Sequence, residues 1–294
     1  MADPSEFTWR QVQEARSGLE EFRISVSRFV NTNGIQPSLD SPARLGMDRF
    51  PHPGSVETVY SQALLLIEVA ADQLTAFLKT TEPPFETIAP WTCVRALLEA
   101  SALGCWLLQP GIPMHSRVGR SIALRYEGLQ HQRKFIGSLG KDPSETVERI
   151  DFVLEQSQSM GFDPVMDRKN RRHIGAGERL PSSTDLIASQ LGEEAMYRLL
   201  SAVAHGHSWA IHQLGFQFLP SASQLPKGSP GSRYMTKGVT PLGYLYLAVG
   251  CAKGFGRVTW NQCLYAGWDE TEMASMLSTL FERVGAEEHA RFWH

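Results

Sequence analysis

The densest group of side chains able to do chemistry lies in the run Tyr197-Arg198-Leu199-Leu200-Ser201-Ala202-Val203-Ala204-His205-Gly206-His207. Arg198, Ser201 and His205 are spaced by three and four residues. On a helix that spacing puts them on one face, because about seven residues make two turns. A neutral imidazole accepts or donates a proton near neutral pH. A guanidinium holds a phosphate or stabilises a developing oxyanion, and a serine hydroxyl can orient either group. His205 is therefore the candidate general acid or base, Arg198 the anion holder and Ser201 the orienting group. Tyr197 and His207 stand beside them as candidate substrate contacts. A structural account of the same residues stays open: Arg198 pairs with a nearby carboxylate, His205 favours the negative end of the helix dipole, and Gly206 caps it.

A second constellation lies upstream. Arg95 and Glu99 are the only charged residues from about Trp91 to Leu108, and they sit four apart on one face of an otherwise apolar segment. Such a pair must point at another polar group, a cavity or a gap in the packing. Downstream, Arg117, Arg120, Leu124, Glu127 and His131 step by three and four along one side. The spacing predicts that Glu99 meets Arg117 or Arg120 across the turn, with Tyr126 as a hydroxyl partner. Arg95, Glu99, Arg120, Tyr126, Arg198 and His205 then either line a polar pocket with apolar walls or close into an ion network. A third cluster, Arg168, Lys169, Arg171 and Arg172, reads as a solvated loop or as a contact to a phosphate backbone.

The Arg-x6-His run, Arg198 to His205, resembles the active motif of the HEPN superfamily. The phrase Tyr197-Arg198…Ser201…His205-Gly206 is also similar to uncharacterised bacterial helical proteins related to that group. The resemblance covers about 11 residues and the bundle architecture. It implies an all-α bundle, a metal-independent endoribonuclease or an RNA-binding derivative of one, and a site often assembled across a homodimer. His205 and Arg198 take the catalytic places in that comparison.

The elements that must carry these groups read almost everywhere at the helical period. Helices are predicted over about 5–30, 55–79, 88–108, 114–139, 142–160, near 183 and over 193–205, and again over 240–266 and from 269 to 285. The segment 88–108 is apolar nearly all round, as the central helix of a bundle is. Polar loops are expected over 31–54 and 161–182. Residues 214–239, rich in Pro, Ser and Gly, read as an irregular or β-hairpin insertion, and as a lid over any pocket. The fold class is therefore all-α: one multi-helix up-and-down bundle over 1–294, with an N-terminal helix 5–30, a core 55–213, the insertion, and C-terminal helices 240–285.

Composition bounds what this bundle does. Of 294 residues, 42% are apolar and 20% charged, which excludes wholesale disorder, and a chain this long folds without a metal or disulfide. The net charge of −3 argues against a general nucleic-acid coat, so any nucleic-acid contact must be local. The four cysteines show no C-x-x-C spacing and read as buried thiols of a reducing compartment. The tryptophans, Trp209 included, read mostly as core. No Glu-x-x-His, H-E-x-x-H, Rossmann or Walker pattern is present, so neither metal nor cofactor is expected. The N-terminus lacks a signal-peptide pattern, and the apolar run from Leu242 to Ala252 is too short to span a bilayer, so the expected location is cytoplasmic. Three functions remain open. The first is a HEPN-like protein acting on RNA. The second is a small-molecule-binding protein or cofactor-free enzyme. The third is a non-catalytic interaction protein.

Overall fold

From Pro90 to Leu107 the chain offers water almost nothing but one charge pair, and the architecture is built by covering that stretch. The computed structural model describes residues 8–33, 36–83, 86–167, 173–214, 216–218, 235–237 and 240–289. Among them are eleven helices: α1 (Trp9–Asn33), α2 (Pro42–Arg49), α3 (Pro53–Thr80), α4 (Ala89–Leu107), α5 (Met114–Ser138), α6 (Ser144–Ser159), α7 (Ser183–Leu191), α8 (Glu194–Ala204), α9 (Ser208–Leu214), α10 (Pro241–Ala266) and α11 (Glu270–Arg283). The protein is an all-α helical bundle.

α4 is the centre. It packs on α3 along one flank, on α10 along another, and on α7 and α8 along a third. α1 and α11 cover the far side of α10, and the α5–α6 hairpin leans on α3. Two apolar helices approach this closely because glycine opens the way. A Cβ on Gly254 of α10 would stand 2.9 Å from Leu97 Cδ2 and 3.0 Å from Leu98 Cδ2 of α4. Side-chain caps fix the helix starts. Ser182 accepts from the Asp185 N–H at 3.2 Å, Thr240 from Gly243 at 3.1 Å, and Asp269 from Thr271 and Glu272 at 2.8 and 3.1 Å.

Three short features depart from the sequence reading. The expected loop 31–54 contains α2, which has a Ser41 cap and a proline in its first turn. Eight residues with a glycine carry too little periodicity to stand out. The expected loop 161–182 contains an antiparallel sheet of β1 (Pro164–Met166), β2 (His173–Ala176) and β3 (Glu178–Arg179), with Val165 opposite Gly175 and Gly175 opposite Arg179. Its strands are too short and glycine-rich to alternate visibly. α9 follows α8 after a tight turn and buries Ala210 while leaving Trp209 54% exposed, which corrects the placement of Trp209 in the core. Within 214–239, β4 (Phe216–Phe218) and β5 (Met235–Lys237) pair antiparallel, Phe216 opposite Lys237. The remaining residues of that insertion lie outside the described residues.

α3 is long and apolar enough to cross a membrane by length and composition, with a mean hydropathy of 1.2 over its best window. Core helices meet the same condition. Here the stripe Val56, Val59, Ala63, Ile67, Ala70, Leu74 and Phe77 is buried, while the outer side mixes exposed Leu65 with Glu68 and Asp72.

The core holds ionisable groups that folding keeps neutral. Burial pushes the Tyr60, Tyr244 and Tyr265 phenols from 10.0 to about 12, and the Cys105 and Cys263 thiols from 9.0 to about 12. A raised folded value means that the unfolded chain ionises first as pH rises. These groups therefore add no pH dependence below about pH 8 and make stability fall from there to about pH 12. Urea midpoints across that range check it, and Tyr244→Phe is expected to make the fall shallower.

Candidate functional site

The two chemistry-bearing regions of the sequence meet through one carboxylate. Tyr197 of α8 donates its hydroxyl to Glu99 Oε1 at 2.7 Å, and Arg95 Nη2 lies 3.2 Å from the same oxygen. The Arg95 guanidinium also stands 5.8 Å from the Tyr197 ring centroid. The side chains of Arg95 and Glu99 are 27% and 32% exposed, so the group opens to water at one edge. Burial works against the charge of Arg95, but Tyr197 and Glu99 outweigh it and hold its pKa above the usual value. Burial, reinforced by the bond to Glu99, raises the Tyr197 phenol.

Beyond this anchor α8 has two sides. Met196, Tyr197, Leu200, Ala202 and Val203 are buried. Arg198 is exposed and pairs with Glu194 one turn earlier, both Nε and Nη2 lying 2.8 Å from Glu194 Oε1. Ser201 is half-buried, and its carbonyl accepts from the His205 N–H at 3.0 Å. The helix then stops. Gly206 takes φ 71° and donates to the Val203 carbonyl at 3.0 Å, and His207 donates to Ala202 at 2.9 Å. That is a Schellman ending. His205 and His207 are both exposed, their rings 6.4 Å apart. An exposed ion pair such as Arg198–Glu194 contributes little stability, so the guanidinium can exchange its carboxylate for a phosphate at small cost.

Glu99 meets neither Arg117 nor Arg120, which corrects that expectation. The two arginines lie at the other end of α4. Arg120 donates to the Trp106 carbonyl at 2.5 Å and to Gln109 Oε1 at 2.9 Å, pairs with Glu178 of β3 at 3.1 Å, and stacks 5.0 Å from the Trp106 ring. Arg117 donates to the Gln109 carbonyl at 3.0 Å. Arg120 therefore caps the C-terminal end of α4, where carbonyls lack helical partners and the dipole is negative, and Arg117 holds the carbonyl of Gln109 just past that end. Trp106 is roughly 16 Å along the helix from Arg95. Tyr126 donates to the His173 carbonyl of β2 at 2.7 Å. So the structure brings Arg95, Glu99 and Tyr197 together, places Arg198, Ser201 and His205 on the next turns of the same helix, and sets Arg120 and Tyr126 apart against the small sheet. Arg168, Lys169, Arg171 and Arg172 lie outside the described residues.

A further polar group was missed in the sequence. Lys253 and Arg257 are the only charged residues of α10, four apart like the pair on α4. Both line a cleft of about 360 Å³ together with Leu191, Glu193, Phe281 and His289. Lys253 Nζ lies 2.5 Å from Glu193 Oε1 at the α7–α8 junction. The signal was available: a charge pair four apart in an apolar run.

These placements separate anchoring from exposed arginines. Arg120→Ala is expected to cost about 3 kcal/mol, because it strands Glu178 and two acceptors in a mostly buried setting. Arg198→Ala is expected to stay within about 0.5 kcal/mol. Urea denaturation of both variants checks the contrast. No protein-family model, no curated protein and no solved structure matches the chain.

Proposed function

We propose that the protein acts on RNA through the outer side of α8, as a HEPN-like, metal-independent endoribonuclease or an RNA-binding derivative of one. The observation that carries this reading is the two-sidedness of α8: Arg198 and His205 are exposed, while the same helix is tied to α4 by the Tyr197–Glu99 bond. A rigid helix presenting a proton-transfer group and a phosphate-binding group at the surface suits a polymer substrate, which cannot enter a closed core. In the reaction His205 moves the proton at the attacked or leaving oxygen. Arg198 leaves Glu194 to hold the phosphate, and Ser201 orients the approach. The basic residues Arg168, Lys169, Arg171 and Arg172 contact the backbone, and a second copy completes the site. The compartment is the cytoplasm, where the free thiols of Cys93, Cys105, Cys251 and Cys263 stay reduced.

Cleavage of a mixed-sequence RNA in chelator is the test. Wild type is expected to cut, and His205→Ala and Arg198→Ala are each expected to cut at least about 100-fold more slowly. Both residues are exposed, so unchanged melting keeps the comparison clean. Equal cleavage in all three proteins, or none in wild type together with no RNA retention, would sink the reading.

A second reading, a small-molecule-binding protein or cofactor-free enzyme, is favoured by a different observation. The cleft beside Lys253 and Glu193 has the size and mixed lining that small ligands use. It moves that reading away from Arg95, Arg120 and Tyr126. A ligand-induced melting shift lost in Lys253→Ala, with RNA binding absent, supports it.

A further inference from the structure

α5 and α6 form a hairpin whose far end stands clear of the bundle. The last buried residue of α5 is Leu129, yet the helix continues to Ser138, about two and a half turns further. Three large apolar side chains are left in water on this arm: Phe135 is 62% exposed, Leu139 53% and Phe152 55%. Apolar residues exposed singly are ordinary, whereas a group on one side of one element marks a contact surface.

These three share a side. Arg149 Nη1 donates to Gln132 Oε1 at 3.4 Å across the seam, which sets the level of one helix against the other. Phe135 follows Gln132 by three residues and Phe152 follows Arg149 by three, so each ring lies beside that bridge on its own helix. Because the helices run in opposite directions, Phe135 sits toward the turn and Phe152 toward the bundle, roughly 9 Å apart along the arm. Leu139 follows Phe135 by four. Gly128, four before Gln132, is exposed at the level of Phe152, and a Cβ there would meet nothing within 4 Å.

The charges split between the two helices. From Arg125 onward α5 carries Arg125, Arg133 and Lys134 against Glu127, whereas α6 carries Glu145, Glu148, Asp151 and Glu155 against Arg149. Among the described residues, no ion pair joins the cations of α5 to the carboxylates of α6. One helix of the arm is thus cationic and the other anionic. A nucleic acid or an anionic bilayer laid on this side would meet the carboxylates of α6. A second copy fits both halves at once, because its α6 faces this α5 and its α5 faces this α6.

We propose that two copies of the chain associate through this side of the α5–α6 hairpin, about a twofold axis running along the arm. α5 of each copy then covers α6 of the other, giving a four-helix arrangement with antiparallel neighbours. Phe152 of each copy seats over Gly128 of the other, and Phe135 and Leu139 leave water. The contact uses neither α8 nor the Lys253 cleft, so it stands or falls separately from both readings of function.

Sedimentation of the full chain over a wide range of concentration tests this. Wild type is expected to reach twice the 32.7 kDa of one chain. Phe152→Asp puts a charge where the ring is covered, and is expected to weaken association at least about tenfold. Gly128→Gln fills the seat and is expected to weaken it as much. This second variant separates association from folding, because replacing a glycine inside a helix favours the folded monomer. At a concentration where both proteins are monomers, its Tm is expected to be no lower than that of wild type. A wild type that stays monomeric at every concentration, or a dimer that either variant leaves unchanged, overturns the proposal.

Discussion

The bond from Tyr197 to Glu99 organises most of what surrounds it. α4 is an apolar helix buried on three flanks, and Glu99 is its only negative charge. A carboxylate there needs a partner held at a fixed distance, because leaving it unmatched would cost more than a typical hydrogen bond contributes. α8 supplies that partner through Tyr197, and Arg95 closes the group from the same helix. The choice fixes which side of α8 is buried. It therefore fixes that Arg198 and His205 face water rather than the core.

The far end of α4 is held by different groups. The arginines that follow Glu99 in the sequence lie there, out of its reach. Arg120 takes Glu178 from the small sheet, which explains why a strand as short as β3 is held against α5. Arg117 is left with a carbonyl, a tyrosine ring and unmatched donors. One apolar helix thus carries two polar groups of different character. One is closed upon itself and partly open to water. The other is capped by cations and short of negative charge.

The helices themselves were legible. Apolar residues recurring by three and four placed α3, α4, α5, α8 and α10 to within a few residues, and the all-round apolarity of 88–108 marked α4 as central. What lacked periodicity was missed: α2 with its glycine and eight residues, and the glycine-rich strands β1–β3. Side-chain partners were legible only in kind. That Arg95 and Glu99 had to meet a polar group followed from their surroundings, but the partner depends on which helix lies across the seam. That is set by packing features such as Gly250, where a Cβ would stand 2.5 Å from Met196 Sδ of α8. Spacing along one chain carries no such distance. The Lys253 and Arg257 pair, four apart in an apolar helix, was readable by the rule that singles out Arg95 and Glu99, but its partner Glu193 was not.

The commitment of Glu99 can be measured directly with two double-mutant cycles in urea, one pairing Glu99→Gln with Tyr197→Phe and the other pairing Glu99→Gln with Arg117→Met. Groups in contact couple, whereas groups far apart add to within about 0.5 kcal/mol. A coupling of about 1 kcal/mol or more between Glu99 and Tyr197, with additivity between Glu99 and Arg117, is the predicted result. Strong coupling of Glu99 to Arg117 with none to Tyr197 would contradict it, and would return α8 to an unanchored helix.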